Sequence, residues 1–454
     1  MSSWPRMATP DLRGYFTSAS CIAFDIYALS IGLPPPAMLQ WTSGGDSVSR
    51  RLLAANAIWS LVNHLAQRGS LALATILLAR SFATRDFATY SYFQMTVNML
   101  ATYATMGLAV AASRFFAASR NDDGTGAFPL GTLLCVNVVV AVAAFMILSI
   151  APLGWLTAGR DIPILAISVG VAVCVLDAVI GGAIVGLEAF RSSAIVSIGS
   201  AVCLLALTGW AAATRNPTIG MWAIVAAFGL HLAGTTAITV HQTGWERLKA
   251  SIRWDKQSLH ELGSLVGAMF AVSLISGSAT WVVGRLIMAS AGDKQFAVFT
   301  IGMQWLALGL LLPNQMTRVT FSRMVRETHE GLRRLLKWVG TINAAMSLSI
   351  AALGFLFASK LILLYGSRYA GDTLVVACFL GVGVINSPAN ALGNALVGRG
   401  RHMSWLIITV VWLLVLLGIL LPSSHRSVEW ALVAYACAGA VMLMMTIFRV
   451  FREA

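Results

Sequence analysis

The amino-acid sequence predicts an all-α polytopic membrane protein with about twelve transmembrane helices, arranged as two six-helix lobes related by a parallel repeat. Three observations support this fold class: the composition, the spacing of the apolar segments, and short motifs that recur in the second half. Of the 454 residues, 58% are hydrophobic and 11% are charged, with a mean hydropathy of +0.78. Because soluble domains carry about 25% charged residues, this composition excludes the soluble, secreted and disordered classes.

The apolar segments give the number of spans. A helix needs about 20 apolar residues to cross the hydrocarbon core of a bilayer. Polar stretches such as 121–124 and 215–217 separate segments of that length. The twelve predicted spans lie near 53–79, 87–112, 127–152, 162–186, 193–214, 218–241, 263–290, 296–316, 336–358, 372–398, 403–421 and 428–448.

The basic residues predict the orientation. The chain carries 31 Lys and Arg against 18 Asp and Glu, a net charge of +13. Loops on the side of the C-terminus hold 19 of these basic residues and the opposite loops hold 8. Because Lys and Arg are enriched in cytoplasmic loops, both termini are predicted to be cytoplasmic. The positive charge is therefore explained without a nucleic-acid partner.

The predicted organisation has four parts. Residues 1–50, which include three consecutive prolines at 34–36, are expected to form a poorly ordered N-terminal extension. The first lobe spans 51–242, a polar cytoplasmic linker spans 243–262, and the second lobe spans 263–449.

Short motifs recur between the two halves. Phe-Ala-Thr-Tyr at 87–90 precedes Phe-Ala-Val-Phe at 296–299 by 209 residues, and the same offset relates Ser-Arg at 113–114 to Ser-Arg at 322–323. Six spans per half is an even number, so both halves enter the membrane in the same direction. Parallel repeats of this kind are typical of transporters that bind substrate between two lobes.

Several stretches, in their order along 51–449, resemble a known family. They are 56–59, 78–80 with 86–90, 107–108 with 113–115, 186–191, 312–313 before 322–323, and 364–366 with Tyr369. This pattern is similar to the Wzx-like O-antigen and exopolysaccharide flippases of the multidrug/oligosaccharidyl-lipid/polysaccharide superfamily.

The resemblance implies a function and a location. It implies a transporter in the bacterial inner membrane that moves undecaprenyl-diphosphate-linked oligosaccharides to the periplasmic leaflet through a V-shaped cavity between the lobes. A polysaccharide polymerase and a chain-length regulator are the candidate protein partners. The chain departs from the family at Gly284-Arg285, where relatives often carry Asp-Arg. Any role of that aspartate in coupling transport to an ion therefore does not carry over to this chain.

Two arginines are the leading candidates for substrate binding. Arg68 and Arg285 lie deep in the first span of each predicted lobe. An arginine at that depth is unfavourable by about 2.5–3.5 kcal/mol on insertion scales, so it usually faces a cavity or a partner. Its planar guanidinium can bind a phosphate through two parallel hydrogen bonds. The alternative is an arginine that reaches the interface from near a helix end.

Other polar residues in the spans are candidates as well. Asn56, Asn63 and Gln67 share a helical stripe and are predicted to bind sugar hydroxyls; the alternative is hydrogen bonding between helices. Asp177 is predicted either to couple transport to ion entry or to pair statically with an arginine. The basic segment 317–337 is expected to attract anionic membrane lipid.

Enzymatic functions lack sequence support. The chain contains no Gly-Lys dipeptide, which excludes a P-loop ATPase, and His260-Glu261 stands alone without a second metal ligand. No cofactor or metal is therefore predicted. Three alternatives remain: a drug or cation exporter, whose cavity would need several acids; a polysaccharide polymerase or ligase, which would need a large periplasmic loop; and a scaffold of an envelope complex.

Overall fold

The described residues are helical almost throughout. The computed structural model describes residues 47–119, 130–150, 154–252, 254, 256–326, 329–399, 401–422 and 426–453, and those ranges contain no β-strand. The predicted extension at 1–50 lies outside them, except for its last four residues, which begin the first helix.

The helices follow the predicted order. The N-terminal half consists of α1 (Ser47–Ser81), α2 (Thr84–Ser119), α3 (Leu130–Ile150), the short α4 (Gly154–Thr157), α5 (Ile164–Leu187), α6 (Phe190–Thr214) and α7 (Pro217–Thr243), followed by α8 (Trp245–Ala250). The C-terminal half consists of α9 (Lys256–Gly309), α10 (Leu311–Arg326), α11 (His329–Leu356), α12 (Ala358–Leu363), a 3-10 helix (Ser367–Asp372), α13 (Thr373–Gly398), α14 (His402–Leu420) and α15 (Val428–Glu453).

One residue divides α9 into two spans. Gly292 has a φ of 84° and a ψ of −177°, a conformation open to glycine and closed to most other residues. The apolar part of this helix, Phe270–Gly309, is 40 residues long, twice the length that one crossing requires. It therefore accounts for the seventh and eighth predicted spans, the second of which continues into α10.

The described helices agree with twelve spans. Nine of them are long and apolar enough to cross a membrane, or ten if α2, which bends by 57° near residues 103–107, is counted as one span. Counting α9 twice and adding α1, which carries several polar residues, gives the twelve predicted spans in order within the described ranges. The predicted fold class is confirmed.

Corresponding helices pack in the same way in the two halves. In the N-terminal half α2 packs on α5, α1 on α6, and α5 on both α3 and α7. In the C-terminal half α9 packs on α13 and α14, and α13 packs on both α11 and α15. The two halves meet mainly where α2 contacts α9. Two similarly built bundles thus face each other along this contact.

Glycines allow α5 to approach α2 closely. A Cβ atom added to Gly182 would lie 2.2 Å from the Ala109 carbonyl oxygen, and one added to Gly186 would lie 2.6 Å from the Ser113 carbonyl oxygen. Small residues at helix contacts are a principal source of packing energy in membranes. This contact therefore fixes the position of α2, which also borders the second lobe.

We expect Gly182→Val to destabilise the N-terminal half, because the new side chain would meet backbone rather than a side chain that can rotate away. Overpacking of this kind typically lowers the free energy of unfolding by about 1–3 kcal/mol. Gly181→Val is the matched control, since a Cβ atom at Gly181 meets nothing within 4 Å. The measurement is the apparent melting temperature of each purified variant in detergent; equal values for both would contradict the proposed role of this contact.

The basic segment 317–337 contains more helix than the sequence indicated. Residues predicted as the loop 317–337 belong to α10 and α11, apart from residues 327 and 328, which lie outside the described residues. The helix α11 begins at His329, seven residues before the predicted span. Leu332, Leu336 and Val339 are buried, so this first part of the helix packs against the protein. An amphipathic first turn is polar on average, which is why hydropathy alone placed this boundary too late.

Candidate substrate cavity and buried polar network

A cavity of about 310 Å³ lies between the two halves. Its walls come from α1 and α2 on one side and from both segments of α9 on the other. Most of its polar lining residues are neutral: Thr75, Ser91, Gln94, Asn98, Thr102, Thr280, Trp281, Thr300 and Gln304. Among the described residues that line the cavity, Arg68 is the one charged residue and none is acidic. The cavity thus offers a single positive charge surrounded by hydrogen-bonding groups.

Arg68 supplies this charge from the N-terminal half alone. The 209-residue offset between the halves places Gly277 at the equivalent position, and Gly277 also lines the cavity. A Cβ atom on Gly277 would lie 3.1 Å from Cε1 of Tyr103. The positive charge therefore comes from one wall, and the described residues of the opposite wall include no charged counterpart.

A polar stripe on α2 forms much of the same wall. Ser91, Gln94, Asn98 and Thr102 recur at three- and four-residue spacing and all line the cavity. Such spacing places side chains on one face of a helix. The sequence prediction included the polar residues of α1 and missed those of α2. The polar residues of α2 have the same three- and four-residue spacing, and this spacing could have identified them.

The structure places Arg285 outside this cavity. Its Nη1 donates to the Trp155 carbonyl oxygen in α4 and to the Tyr92 hydroxyl at 3.4 Å, and its guanidinium lies 5.4 Å from the ring centroid of Trp281. Arg285 is two turns further along α9 than Gly277, so it is not the repeat counterpart of Arg68. The two predicted arginines are not brought together, and Arg285 joins the two halves at one end of the molecule.

Gln67 and Asn63 face the interior of the N-terminal half instead of the cavity. The Gln67 Nε2 donates to the Ser197 hydroxyl at 3.2 Å and lies 2.8 Å from the His231 Nε2. Ser197 in turn donates to the Asn63 Oδ1. These contacts link α1 to α6 and α7, as expected for polar residues that join helices. Asn56 is half-buried two turns closer to the start of α1.

The same network continues to Asp177. The His231 Nδ1 lies 2.7 Å from the Asp177 Oδ1, with side-chain exposures of 6% and 22%. A neutral imidazole with its proton on Nδ1 donates to Asp177 and accepts from Gln67, which satisfies both ring nitrogens. The acid predicted to couple transport or pair with an arginine therefore has a histidine partner. His231 lies in the sixth predicted span, and the sequence analysis did not identify it as a partner of Asp177.

The network and the cavity are adjacent but distinct. Gln67 belongs to the network and its neighbour Arg68 lines the cavity, so one turn of α1 carries both. Within the described part of the chain, no three His, Cys, Asp or Glu side chains come together as a metal site would require.

Two bundles of six spans around a polar cavity define a membrane transporter fold, and solved structures agree. The chain superimposes on an inward-facing multidrug resistance MATE family transporter of the MOP superfamily with a TM-score of 0.70, at 16% identity, covering 87% of this chain and 98% of that one. An outward-facing MATE structure gives 0.68 at 15% identity, covering 90% and 96%. A MOP superfamily transporter from Pyrococcus furiosus gives 0.64 at 16% identity, covering 90% and 98%.

Sequence similarity defines the family. Residues 53–326 match the polysaccharide biosynthesis protein family, and the chain belongs to it. It is 23% identical over 369 residues to the EPS I polysaccharide export inner membrane protein EpsE of Ralstonia nicotianae, covering 76% of this chain and 83% of the relative. The EpsE protein of Ralstonia solanacearum is 23% identical over 314 residues, covering 65% and 70%. The predicted resemblance to polysaccharide flippases is confirmed.

Proposed function

We propose that this protein moves a polyprenyl-diphosphate-linked oligosaccharide from the cytoplasmic to the periplasmic leaflet of the bacterial inner membrane. The observation that carries the proposal is the cavity between the halves, where Arg68 is the one charged residue, and none is acidic, among the lining residues that the structure describes. A diphosphate is anionic and its sugars are neutral hydrogen-bonding groups, which is the complement of this lining. Membership of the polysaccharide biosynthesis family supports the same substrate class.

The lining residues divide between the two parts of such a headgroup. Arg68 binds the diphosphate, because a guanidinium offers two parallel donors to phosphate oxygens. The amides and hydroxyls of the α2 stripe, with Thr300 and Gln304 opposite, bind the sugars in place of water. Arg285 meets the headgroup only after its contact with Trp155 is released, so we propose that it acts later in the passage than Arg68. Asn63 and Gln67 act on the substrate indirectly, because their contacts with α6 and α7 position the turn of α1 that carries Arg68. Asn56 lies about three turns before Arg68 on α1, and its binding of sugar hydroxyls stays a prediction.

The orientation and partners complete the proposal. Both termini lie in the cytoplasm, the basic segment 317–337 attracts anionic lipid on that side, and a polymerase and a chain-length regulator act on the delivered glycan. The protein itself breaks no bond. A cation exporter is disfavoured, since the described cavity lining holds no carboxylate to bind a cation.

Deletion of the gene tests the substrate class directly. We expect intact undecaprenyl-diphosphate-linked glycan to accumulate in the cytoplasmic leaflet, with loss of surface polysaccharide. The measurement is fractionation of lipid-linked glycans combined with accessibility to an impermeant glycosidase. Normal surface polysaccharide with raised sensitivity to cationic compounds would favour the exporter, and short unpolymerised glycan on the outer side would favour a polymerase.

We also propose that Asp177 is the ion-coupling residue, with His231 as its partner. The pair is largely buried in the N-terminal half and is connected through Gln67 to the turn of α1 that carries Arg68. Ionisable groups inside a membrane are expensive and are typically retained for proton or ion pathways. A change in the protonation of this pair changes what Gln67 can bind, and this is the route by which it influences the cavity.

A further inference from the structure

One end of the molecule is held by an arginine that reaches from the first half to the second. Arg160 follows α4, and its guanidinium donates to the Thr89 hydroxyl at 3.1 Å and to the Arg85 carbonyl oxygen at 3.4 Å, both in its own half. Its Nη2 also forms an ion pair with Asp293, beside the break in α9. The side chains of Arg160 and Asp293 are 14% and 30% exposed, so water screens this pair less than an exposed one.

A second arginine makes the reciprocal contact. Arg368 lies in the 3-10 helix of the second half, 208 residues after Arg160, and donates to the Phe82 carbonyl oxygen at 2.5 Å and to the Arg80 carbonyl oxygen at 3.2 Å. These carbonyls lie in the last turn of α1 and in the connection to α2. Each arginine thus follows the third span of its own half and binds the turn between the first two spans of the other half. The repeat produces the same contact twice.

Aromatic contacts also join the two halves near these arginines. Phe87 of the first half packs on Tyr369 of the second with ring centroids 6.3 Å apart, and both rings are fully buried. Trp155 packs edge-on against Trp281 at 5.6 Å. Ser91 lines the cavity two turns after the start of α2, about 10 Å along the helix at 1.5 Å per residue, and its side chain is completely buried.

We propose that Arg160 with Asp293, and Arg368 with the carbonyls of Arg80 and Phe82, form a two-part latch that keeps this end of the cavity shut and must release for the cavity to open there. The inference rests on the proposed function for its direction: with both termini in the cytoplasm, the latch faces the periplasm. Both arginines bind across the two halves, so separating the halves at this end breaks both contacts. Asp293 is the one carboxylate in the latch, which makes the Arg160 contact the part most sensitive to charge.

Charge reversal with a buried reporter tests the latch. In a chain whose native cysteines are replaced, Ser91→Cys places a thiol on the cavity wall, and a membrane-impermeant maleimide is added to right-side-out vesicles. We expect Arg160→Asp and Asp293→Arg each to speed labelling by about tenfold, the factor that about 1.4 kcal/mol produces in an equilibrium. The combined variant, Arg160→Asp with Asp293→Arg, restores the pair in reverse and returns labelling to near the parental rate. Lys249→Glu, which breaks an exposed ion pair within α8, is the control and leaves the rate unchanged.

Labelling rates that are equal in all variants, or a combined variant that labels as fast as the single ones, would overturn the latch. If the Arg160 variants do not reach the membrane, Arg368→Gln decides the question, since it removes the second contact and leaves the ion pair in place; an unchanged rate there rejects the proposal. Labelling requires no substrate, so it is independent of the deletion experiment. Fast labelling of the single variants from inverted vesicles instead would keep the latch and reverse the proposed orientation.

Discussion

Replacing Arg68 with alanine is expected to abolish export of the lipid-linked glycan while leaving the amount of protein in the membrane unchanged. Arg68 provides the one charge among the described cavity-lining residues, so its loss leaves the diphosphate without a counter-charge in a low-dielectric space. Two charge-assisted hydrogen bonds of about 1.5–3 kcal/mol each predict a loss of transport on the order of 100-fold or more. The measurement is surface polysaccharide per unit of membrane-inserted protein.

Two further variants separate charge from geometry at this position. Arg68→Lys keeps the charge but loses the planar pair of donors, so we expect partial transport between the wild type and the alanine variant. Arg399→Ala, which removes an exposed arginine outside this cavity, is the control and should export normally. Near-normal export by Arg68→Ala would show that the cavity charge is not what binds the substrate.

The fold could be predicted because membrane insertion is governed by apolar length. Spans predicted from hydropathy at 162–186 and 372–398 correspond to α5 (Ile164–Leu187) and α13 (Thr373–Gly398) within a few residues. The break at Gly292 lies between two predicted spans, because polar residues and a glycine interrupt the apolar sequence there. In each case the determining property is local, and the sequence contains it.

The site was harder to predict because facing directions depend on packing between helices. The polarity of α1 suggested that Gln67 and Asn63 line the cavity, yet both contact α6 and α7, while Arg68, one residue further, lines it. Successive residues of a helix point about 100° apart. The packing of α1 on α6 decides which of these side chains faces the cavity. Arg285 shows the same limit: its depth was predicted, but its acceptor on α4 comes from a segment far away in sequence.

His231 and Asp177 lie 54 residues apart on α7 and α5, and no local pattern joins them. Each is an ionisable residue in the middle of a largely apolar helix, and only the packing of the two helices brings them together. What the sequence did indicate is that an acid in a span needs a partner, since an unpaired charge is costly there. The partner turned out to be a histidine, which can exchange a proton, instead of an arginine, which cannot.

Asp177→Asn is expected to uncouple transport from the proton gradient without unfolding the protein. The asparagine Oδ1 still accepts from the His231 Nδ1, so the hydrogen bond at 2.7 Å is retained. The titratable carboxyl group of residue 177 is lost. With one proton per cycle, each pH unit across the membrane is worth about 1.4 kcal/mol and shifts the steady-state distribution of the substrate tenfold. In proteoliposomes we expect that shift for the wild type and none for Asp177→Asn. Asp161→Asn, in an exposed loop, is the matched control.

A comparison with Asp177→Leu distinguishes coupling from structure. Leucine leaves the buried His231 Nδ1 without an acceptor, which costs about 1–3 kcal/mol of stability, so that variant should lose both coupling and thermal stability. If Asp177→Asn keeps the full response to pH, the pair is a static structural contact and the ion pathway lies elsewhere. If a sodium gradient drives the wild type and Asp177→Asn abolishes that response, the residue couples to sodium instead. Because Gln67 connects this pair to the turn that carries Arg68, either coupled outcome requires Gln67→Leu to weaken coupling as well.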